Sequence, residues 1–553
     1  MNEDVRVSLA SSVSWRSPVE GRGWVRNRLV EALPAPVSPL CETLLLPLVA
    51  VGVRAGAFRL TREDAARHMF VAPALVTING WAYCTDRVQV APGMVTAGIV
   101  RFPRFGRLLQ DLLGEALAAC HEVRARAKHR DMAAHSALEL LALIEQAALA
   151  GARHWAAAAL ILWYADSWER LLEIVVRAAL GPGAPAVGRL VPGLPEVWEM
   201  FLAPLARLAQ AVATREDESR TMPNTPPDGL LDWLAALPGG ARWHDEAGRL
   251  LAAHGTLVRS LDFAQPLLSD DPAPLLEALR GLASAGSRGA SRRSSPVLER
   301  AAAVASVEAR LDPLRWLLVR RVLGRAQHGA ALRTQALRHL GAAWPVMRRC
   351  VLELGRRLTA AGLVGEPDDA FYLTWVELQQ ACRLDPEQTL PDLRACAARR
   401  RAERCIWATA APPDTVPEHT PATRDRDLVS SVVAWLTGLR AAADTAPDGT
   451  AVGVSLNGGV AAGPAFVART LEELHDVPPG SVLVSRELAP AYWPVLLVCS
   501  AVALEAPTGR AHSAYVAREL GIPAVAGLAG ITARVQPGQT IVVDGDRGHI
   551  RTV

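Results

Sequence analysis

Apolar residues recur at helical spacing through most of the first 440 positions of this chain, and that period constrains the fold before any single motif does. From Ala336 they fall at Ala336, Leu340, Ala343, Met347, Val351, Leu354 and Leu358, with Arg338, Arg348, Arg349, Arg356 and Arg357 between them. Such a stripe predicts an amphipathic helix buried on one face and bent near Pro345, whose ring crowds the preceding turn. Similar patterns predict helices over Leu108–Ala127, Ala133–Ala150, His154–Leu180 and Pro296–Gly324. Polar, Gly/Pro/Ser-rich stretches at 215–229 and 284–296, and a Pro-rich stretch at 412–424, read as loops. The small and polar stretch 441–450 reads as a hinge before the C-terminal region.

Within that C-terminal region a single histidine stands out. His512 lies just ahead of a predicted helix that opens with Ser513, and unpaired backbone N–H groups at a helix start favour an anion. A phosphoryl group carried on the imidazole would be stabilised there. Ser513 is a candidate cap for the helix, and Gly509, Arg510 and Arg518 are candidate phosphate contacts.

The residues around His512 carry a resemblance to a known family. Glu505–Val525, ending in Ala517-Arg518-Glu519-Leu520-Gly521-Ile522-Pro523, resembles the mobile, or swivelling, phosphohistidine domain of PEP-utilising enzymes such as phosphoenolpyruvate synthase, pyruvate phosphate dikinase and rifampicin phosphotransferase. Gly453–Ala468 and Pro478–Glu505 look like its opening strands, and Val535–Ile550 like its closing hairpin, with a turn signal at Asp544-Gly545. Many relatives carry two glycines where this chain has Pro507 and Thr508, and a Ser, Thr or Cys where it has Ala511. The helical region resembles the substrate-binding domain of rifampicin phosphotransferases through Trp24–Leu40, Val76–Tyr83 and the D-D-x-F-Y-L-T-x-x-E-L stretch from Asp368 to Leu378. Arg333 stands where an Arg-Glu-Asn triplet is usual.

The resemblance implies an α+β multidomain chain: a large, mainly α-helical substrate-binding domain over 1–440, a hinge at 441–450 and a small β/α swivelling phosphohistidine domain over 451–553. It implies that ATP phosphorylates His512 and that the module delivers the phosphoryl group to an acceptor. No ATP-grasp pattern precedes the helices, so ATP and Mg2+ are expected through a separate ATP-grasp partner subunit, with no cofactor bound tightly here. The acceptor is expected to be a hydroxyl on a bulky small molecule, either phosphorylated or activated for dehydration. Trp155, Trp163, Tyr164 and Trp168 gather on one predicted helix and, with Arg333, are candidate substrate contacts. Nine histidines in the helical region, His121, His154 and His339 among them, could serve as a general base, and sequence singles out none. The alternative is a non-catalytic, helical small-molecule binder or scaffold with a degenerate mobile domain.

Composition narrows the classes. A chain of 553 residues, half of them hydrophobic, suggests about three or four domains. Its net charge of +3 is dispersed among arginines and nearly as many acids, which gives no stripe for nucleic acid. Eight cysteines show no metal-ligand spacing and read as reduced thiols, so no metal site is expected. The N-terminus lacks a signal-peptide pattern, and the longest uninterrupted apolar run, Trp155–Ala165, is short for a bilayer. A cytoplasmic protein without membrane partners is expected.

Overall fold

The computed structural model describes residues 13–26, 33–62, 74–85, 92–127, 131–181, 184–185, 187–191, 204–205, 207–209, 230–236, 239–255, 258, 260–271, 279, 296–383, 391–410, 412–413, 415–417, 450–469, 473–474, 477–486, 495–505, 517, 520–528 and 530–552. The described helices are α1 (Pro39–Thr61), α2 (Pro92–Ala127), α3 (Ala137–Leu180), α4 (Val187–Leu190), α5 (Leu230–Ala236), α6 (Gly240–His254), α7 (Pro296–Ala309), α8 (Pro313–Arg338), α9 (Trp344–Ala360), α10 (Trp375–Arg383), α11 (Leu393–Thr409) and α12 (Ile531–Arg534). The strands are β1 (Trp24–Val25), β2 (Leu75–Ile78), β3 (Trp81–Thr85), β4 (Thr415–Val416), β5 (Ala451–Val452), β6 (Val454–Asn457), β7 (Val460–Ala468), β8 (Val482–Ser485), β9 (Ala501–Leu504), β10 (Ala524–Ala526), β11 (Thr540–Asp544) and β12 (His549–Thr552). Helices and sheets together make the expected α+β multidomain architecture. Two compact units divide the chain: 1–162 with 260–265 and 333–431, and 163–259 with 266–332 and 432–553.

In the first unit, Ser38 caps α1 by accepting from Cys41 N at 3.3 Å. Its own N and Oγ both donate to the buried carboxylate of Asp262 at 2.7 Å. Strands β2 and β3 form a hairpin turned at Asn79-Gly80, both at positive φ, as an Asn-Gly turn requires. A Cβ on Gly80 would also lie 2.8 Å from the Trp407 ring, so glycine is needed there twice over. The D-D-x-F-Y-L-T-x-x-E-L stretch acts as a clamp. Asp369 accepts from the N–H groups of Gly365 and Glu366 and pairs with Arg401; Thr374 and Glu377 cap each other across the start of α10; and Glu377 takes a bidentate pair from Arg400 of α11.

Three helix expectations need correction. The single bent helix through Pro345 is two helices: α8 ends at Arg338, and Pro345 sits in the first turn of α9, where its missing N–H has no intrahelical partner to lose. Conversely, the expected break between 150 and 154 is absent, and α3 runs unbroken from Ala137 to Leu180. Gly151 permits this, because a Cβ there would lie 2.2 Å from the Trp344 ring. The helix expected over Pro296–Gly324 is likewise divided, between α7 and α8.

The second unit holds an eight-stranded sheet in the order β5-β12-β11-β7-β8-β9-β10-β6. Strands β7 to β10 are parallel neighbours, and the others pair antiparallel. Alternate residues enter different cores: Val482, Val484, Ala501, Ala503 and Val525 on one face, and Leu483, Val502, Leu504, Ala524 and Ala526 on the other. Burial on both faces explains the continuous apolar runs VLV, AVAL and AVA. The first and last strands of the order, β5 and β6, are separated by Gly453 alone, so the sheet curls back on itself at that residue. Gly453 N donates to Gly548 O at 2.8 Å, and a Cβ on Gly453 would lie 2.4 Å from Ala526 O. At the closing hairpin the left-handed residue is Gly548 rather than Gly545; Gly545 is needed for close approach, its Cβ position lying 2.0 Å from Asn457 O.

Of the described helices, α1 is long and apolar enough to cross a membrane by length and composition, and half of that window is buried inside the protein. The expected hinge, 441–450, lies outside the described residues apart from Thr450.

Candidate functional site

His512, Gly509, Arg510, Ser513 and Arg518 all lie outside the described residues. Their frame is described. The chain leaves β9 at Leu504 and re-enters the sheet at Ala524, the start of β10, a parallel neighbour of β9. His512 therefore belongs to a parallel crossover, and ligands of such sheets gather beyond the carboxyl ends of the strands.

Both ends of this crossover are pinned. On the leaving side, Glu505 N donates to Ser485 O at 3.0 Å, and its carboxylate accepts from Thr532 N at 2.9 Å and from the Thr532 hydroxyl, fixing the first turn of α12. On the returning side, the Leu520-Gly521-Ile522-Pro523 corner is held by the buried Asn457, whose Nδ2 donates to Ile522 O at 3.0 Å. Gly521 takes a positive φ, which is why the A-R-E-L-G-I-P stretch needs glycine at its helix end.

The turn after β6 brings in residues that sequence reasoning does not single out. Arg189 of α4 reaches across Gly458, and its Nη2 lies 2.6 Å from Asp546 Oδ1. A Cβ on Gly458 would stand 2.5 Å from Asp546 Oδ1 and 2.7 Å from Arg189 Nε, so the bare backbone lets the two side chains meet. The sequence signal is Asn457-Gly458-Gly459; its partners lie far along the chain. The apolar cluster on the same side of the sheet continues from Leu456, Leu483 and Leu504 into Leu205, Leu208, Leu234 and Leu250.

Among the candidate substrate residues, Trp155 and Arg333 are buried in the first unit, while in the second Tyr164 and Trp168 are buried and Trp163 is half-buried. Tyr164 and Trp168 meet edge to face with centroids 6.3 Å apart, a packing arrangement typical of interiors. The candidate bases His121, His154 and His339 lie in the first unit. His154 is fully buried, with Nε2 3.0 Å from Ala336 O, and burial pushes its pKa down to about 4. His339 is also pushed down to about 4, by burial first and then by Arg338 and His121, whose ring stands 6.3 Å away. Both are neutral near pH 7. Burial raises the thiols of Cys120 and Cys382 to about 11 and that of Cys350 to about 12, so none of these is a ready nucleophile.

Comparison with known proteins now places this frame. Residues 477–548, which include His512, match the mobile domain of PEP-utilising enzymes, and residues 154–334 match the fourth domain of rifampicin phosphotransferase. The chain thus carries a PEP-utilising mobile domain and a rifampicin phosphotransferase-like helical region. All five candidate substrate residues fall within the second match. A rifampicin phosphotransferase of Streptomyces sviceus is 27% identical over 338 residues, covering 58% of this chain and 36% of the relative. Another, from Bacillus subtilis, is 27% identical over 208 residues, 37% of this chain and 21% of the relative. Phosphoenolpyruvate synthase of Aeropyrum pernix is 39% identical over 110 residues, 19% of this chain and 13% of the relative. The chain spans under two-fifths of the length of the rifampicin phosphotransferases from Streptomyces that it matches.

Proposed function

We propose that this chain is the phosphocarrier and acceptor-binding component of an ATP-dependent phosphotransferase, with His512 as the carrier. The observation that supports this most is the match over 477–548 on a parallel-crossover frame whose two ends are fixed around His512. An imidazole nitrogen of His512 attacks phosphorus, the P–O bond to the nucleotide breaks, and a phosphoramidate forms. An acceptor oxygen then attacks, the P–N bond breaks, and the hydroxyl proton passes to a base. Covalent carriage divides one difficult transfer into two easier ones.

Gly509, Arg510, Ser513 and Arg518 are proposed to neutralise the phosphoryl charge, which is most of what catalysis of this transfer requires. ATP and Mg2+ are proposed to bind an ATP-grasp unit outside these 553 residues, on a partner subunit. The acceptor is proposed to be a hydroxyl of a bulky small molecule held by the helical region, with Trp155, Trp163, Tyr164, Trp168 and Arg333 as its contacts, and either a phosphate ester or a dehydrated product as the outcome. We assign the protein to the cytoplasm, where ATP is available, and divide it functionally into 1–440, the 441–450 hinge and 451–553.

The test is incubation with an ATP-binding partner and ATP labelled at the γ- or β-phosphate. Acid-labile label on the wild type that is lost in His512→Ala supports the carrier; no label with any partner points to the non-catalytic binder, which the Pro507-Thr508 replacement of two glycines favours.

A further inference from the structure

Basic side chains from three helices of the first unit gather around one imidazole, His339, which follows the last residue of α8. Its ring meets that of His121 nearly edge to face, with centroids 6.3 Å apart. Arg124 stands three residues after His121, on the same face of α2. The charges that act on His339 are those of Arg338 on α8 and of His121 and Arg124 on α2, and those that act on His154 of α3 are His339 and His121. No carboxylate is among them. Glu122, beside His121 in sequence, is taken up by Arg126, and Arg124 makes no ion pair or hydrogen bond among the described residues.

Burial deepens across this cluster, from the exposed His121 through the half-buried Arg124, Arg338 and His339 to the fully buried His154. Because Ala336 O, in the last turn of α8, is an acceptor, His154 Nε2 carries the hydrogen in their contact at 3.0 Å. The other nitrogen, Nδ1, is therefore a bare lone pair, and it is buried with no hydrogen-bond partner among the described residues. Like charges collected in a half-buried place without a counter-charge oppose one another, and an anion removes that conflict. Guanidinium groups suit oxyanions in particular, because their N–H groups match two oxygens at once.

We propose that His121, Arg124, Arg338 and His339 form a binding site for a divalent oxyanion, a phosphate monoester or free phosphate, with His154 as its buried member. The anion supplies the negative charge the cluster lacks, so it favours the imidazolium forms of His339 and His154, binding takes up protons, and affinity rises as pH falls. The site goes beyond the carrier reading, and its test does not involve His512.

The experiment is isothermal titration calorimetry of the full chain with sodium sulfate, a dianion throughout, at about pH 7.5 and about pH 5.5, in two buffers of different protonation enthalpy and against chloride at equal ionic strength. Sulfate is expected to bind where chloride does not, at least about fivefold more tightly at the lower pH and with net proton uptake. Arg124→Gln and His339→Gln, with unchanged circular-dichroism spectra, are expected to lose about tenfold or more in affinity, and His339→Gln to lose most of the proton uptake. Arg126→Gln removes the same charge from α2 outside the cluster and is expected to bind as the wild type does. Inorganic phosphate and phenyl phosphate at the higher pH then separate the sources: tighter phenyl phosphate assigns a phosphate monoester, and equal affinities assign free phosphate. Sulfate heats no different from those of chloride, binding without proton uptake, full affinity in Arg124→Gln, or an equal loss in Arg126→Gln would each overturn the proposal.

Discussion

Arg189 and Asp546, separated by most of the second unit's sequence, meet at 2.6 Å over the bare backbone of Gly458. The arginine belongs to the region matching the rifampicin phosphotransferase fourth domain, and the aspartate to the mobile-domain match. Together with the apolar cluster running from Leu456 into Leu205 and Leu250, this contact joins the two matched regions within the second unit.

The Arg189–Asp546 pair is suited to a releasable contact because both side chains are about half exposed. Exposed pairs contribute at most about 1 kcal/mol. Arg189→Glu should therefore leave the unfolding midpoint nearly unchanged while raising hydrogen exchange across Val454–Gly459. Equal exchange in variant and wild type would show that the pair does not hold the module.

Gly453 closes the eight-stranded sheet, and a Cβ there meets Ala526 O at 2.4 Å. Gly453→Ala should destabilise the unit by about 1–3 kcal/mol, the usual cost of overpacking. Denaturant unfolding monitored on the C-terminal residues measures it.

The clamp between Glu377 and Arg400 is mostly buried and bidentate, with N–O distances of 2.6 and 2.9 Å. Removing one partner of such a pair strands a charge and costs about 3–5 kcal/mol. Arg400→Ala should fall in that range, and adding Glu377→Ala should recover some of the loss. A double variant with the summed loss of two singles would show that the pair is not coupled.

His154 and His339 have folded pKa values near 4 against 6.5 when exposed, so the unfolded chain binds their protons first. Their contribution to stability is complete above about pH 6.5 and is lost as pH falls toward 4. For the fully buried His154, the gap of about 2.5 pH units at about 1.4 kcal/mol each sets an upper bound of about 3–4 kcal/mol. Urea unfolding of the wild type at stepped pH should show this decline, and His154→Gln should flatten it.

Helical periodicity makes most helices of the first 440 residues legible, and the A-R-E-L-G-I-P stretch marks the C-terminal module, because both are local patterns. Where local pattern misleads, a distant residue decides the matter. Gly151 reads as a break, yet the Trp344 ring occupies the space its side chain would need and α3 continues. Pro345 reads as a bend inside a helix and instead begins one, a distinction that rests on where α8 stops. The roles of Asp369, Thr374 and Glu377 are legible in sequence only as resemblance; the hydrogen bonds explain them as caps and a clamp. Arg189 has no local signal, since its partner Asp546 lies far along the chain, beyond β11, and its fit depends on a missing side chain at Gly458.

The carrier role of His512 is tested most directly by mass spectrometry of the chain after incubation with ATP, Mg2+ and an ATP-binding partner, handled at alkaline pH to preserve phosphoramidates. The account predicts phosphate on the tryptic peptide Ala511–Arg518, on His512, lost on acid treatment and absent in His512→Ala. Phosphate on another residue with His512 unmodified, or an unmodified peptide with every ATP-binding partner supplied, would contradict it.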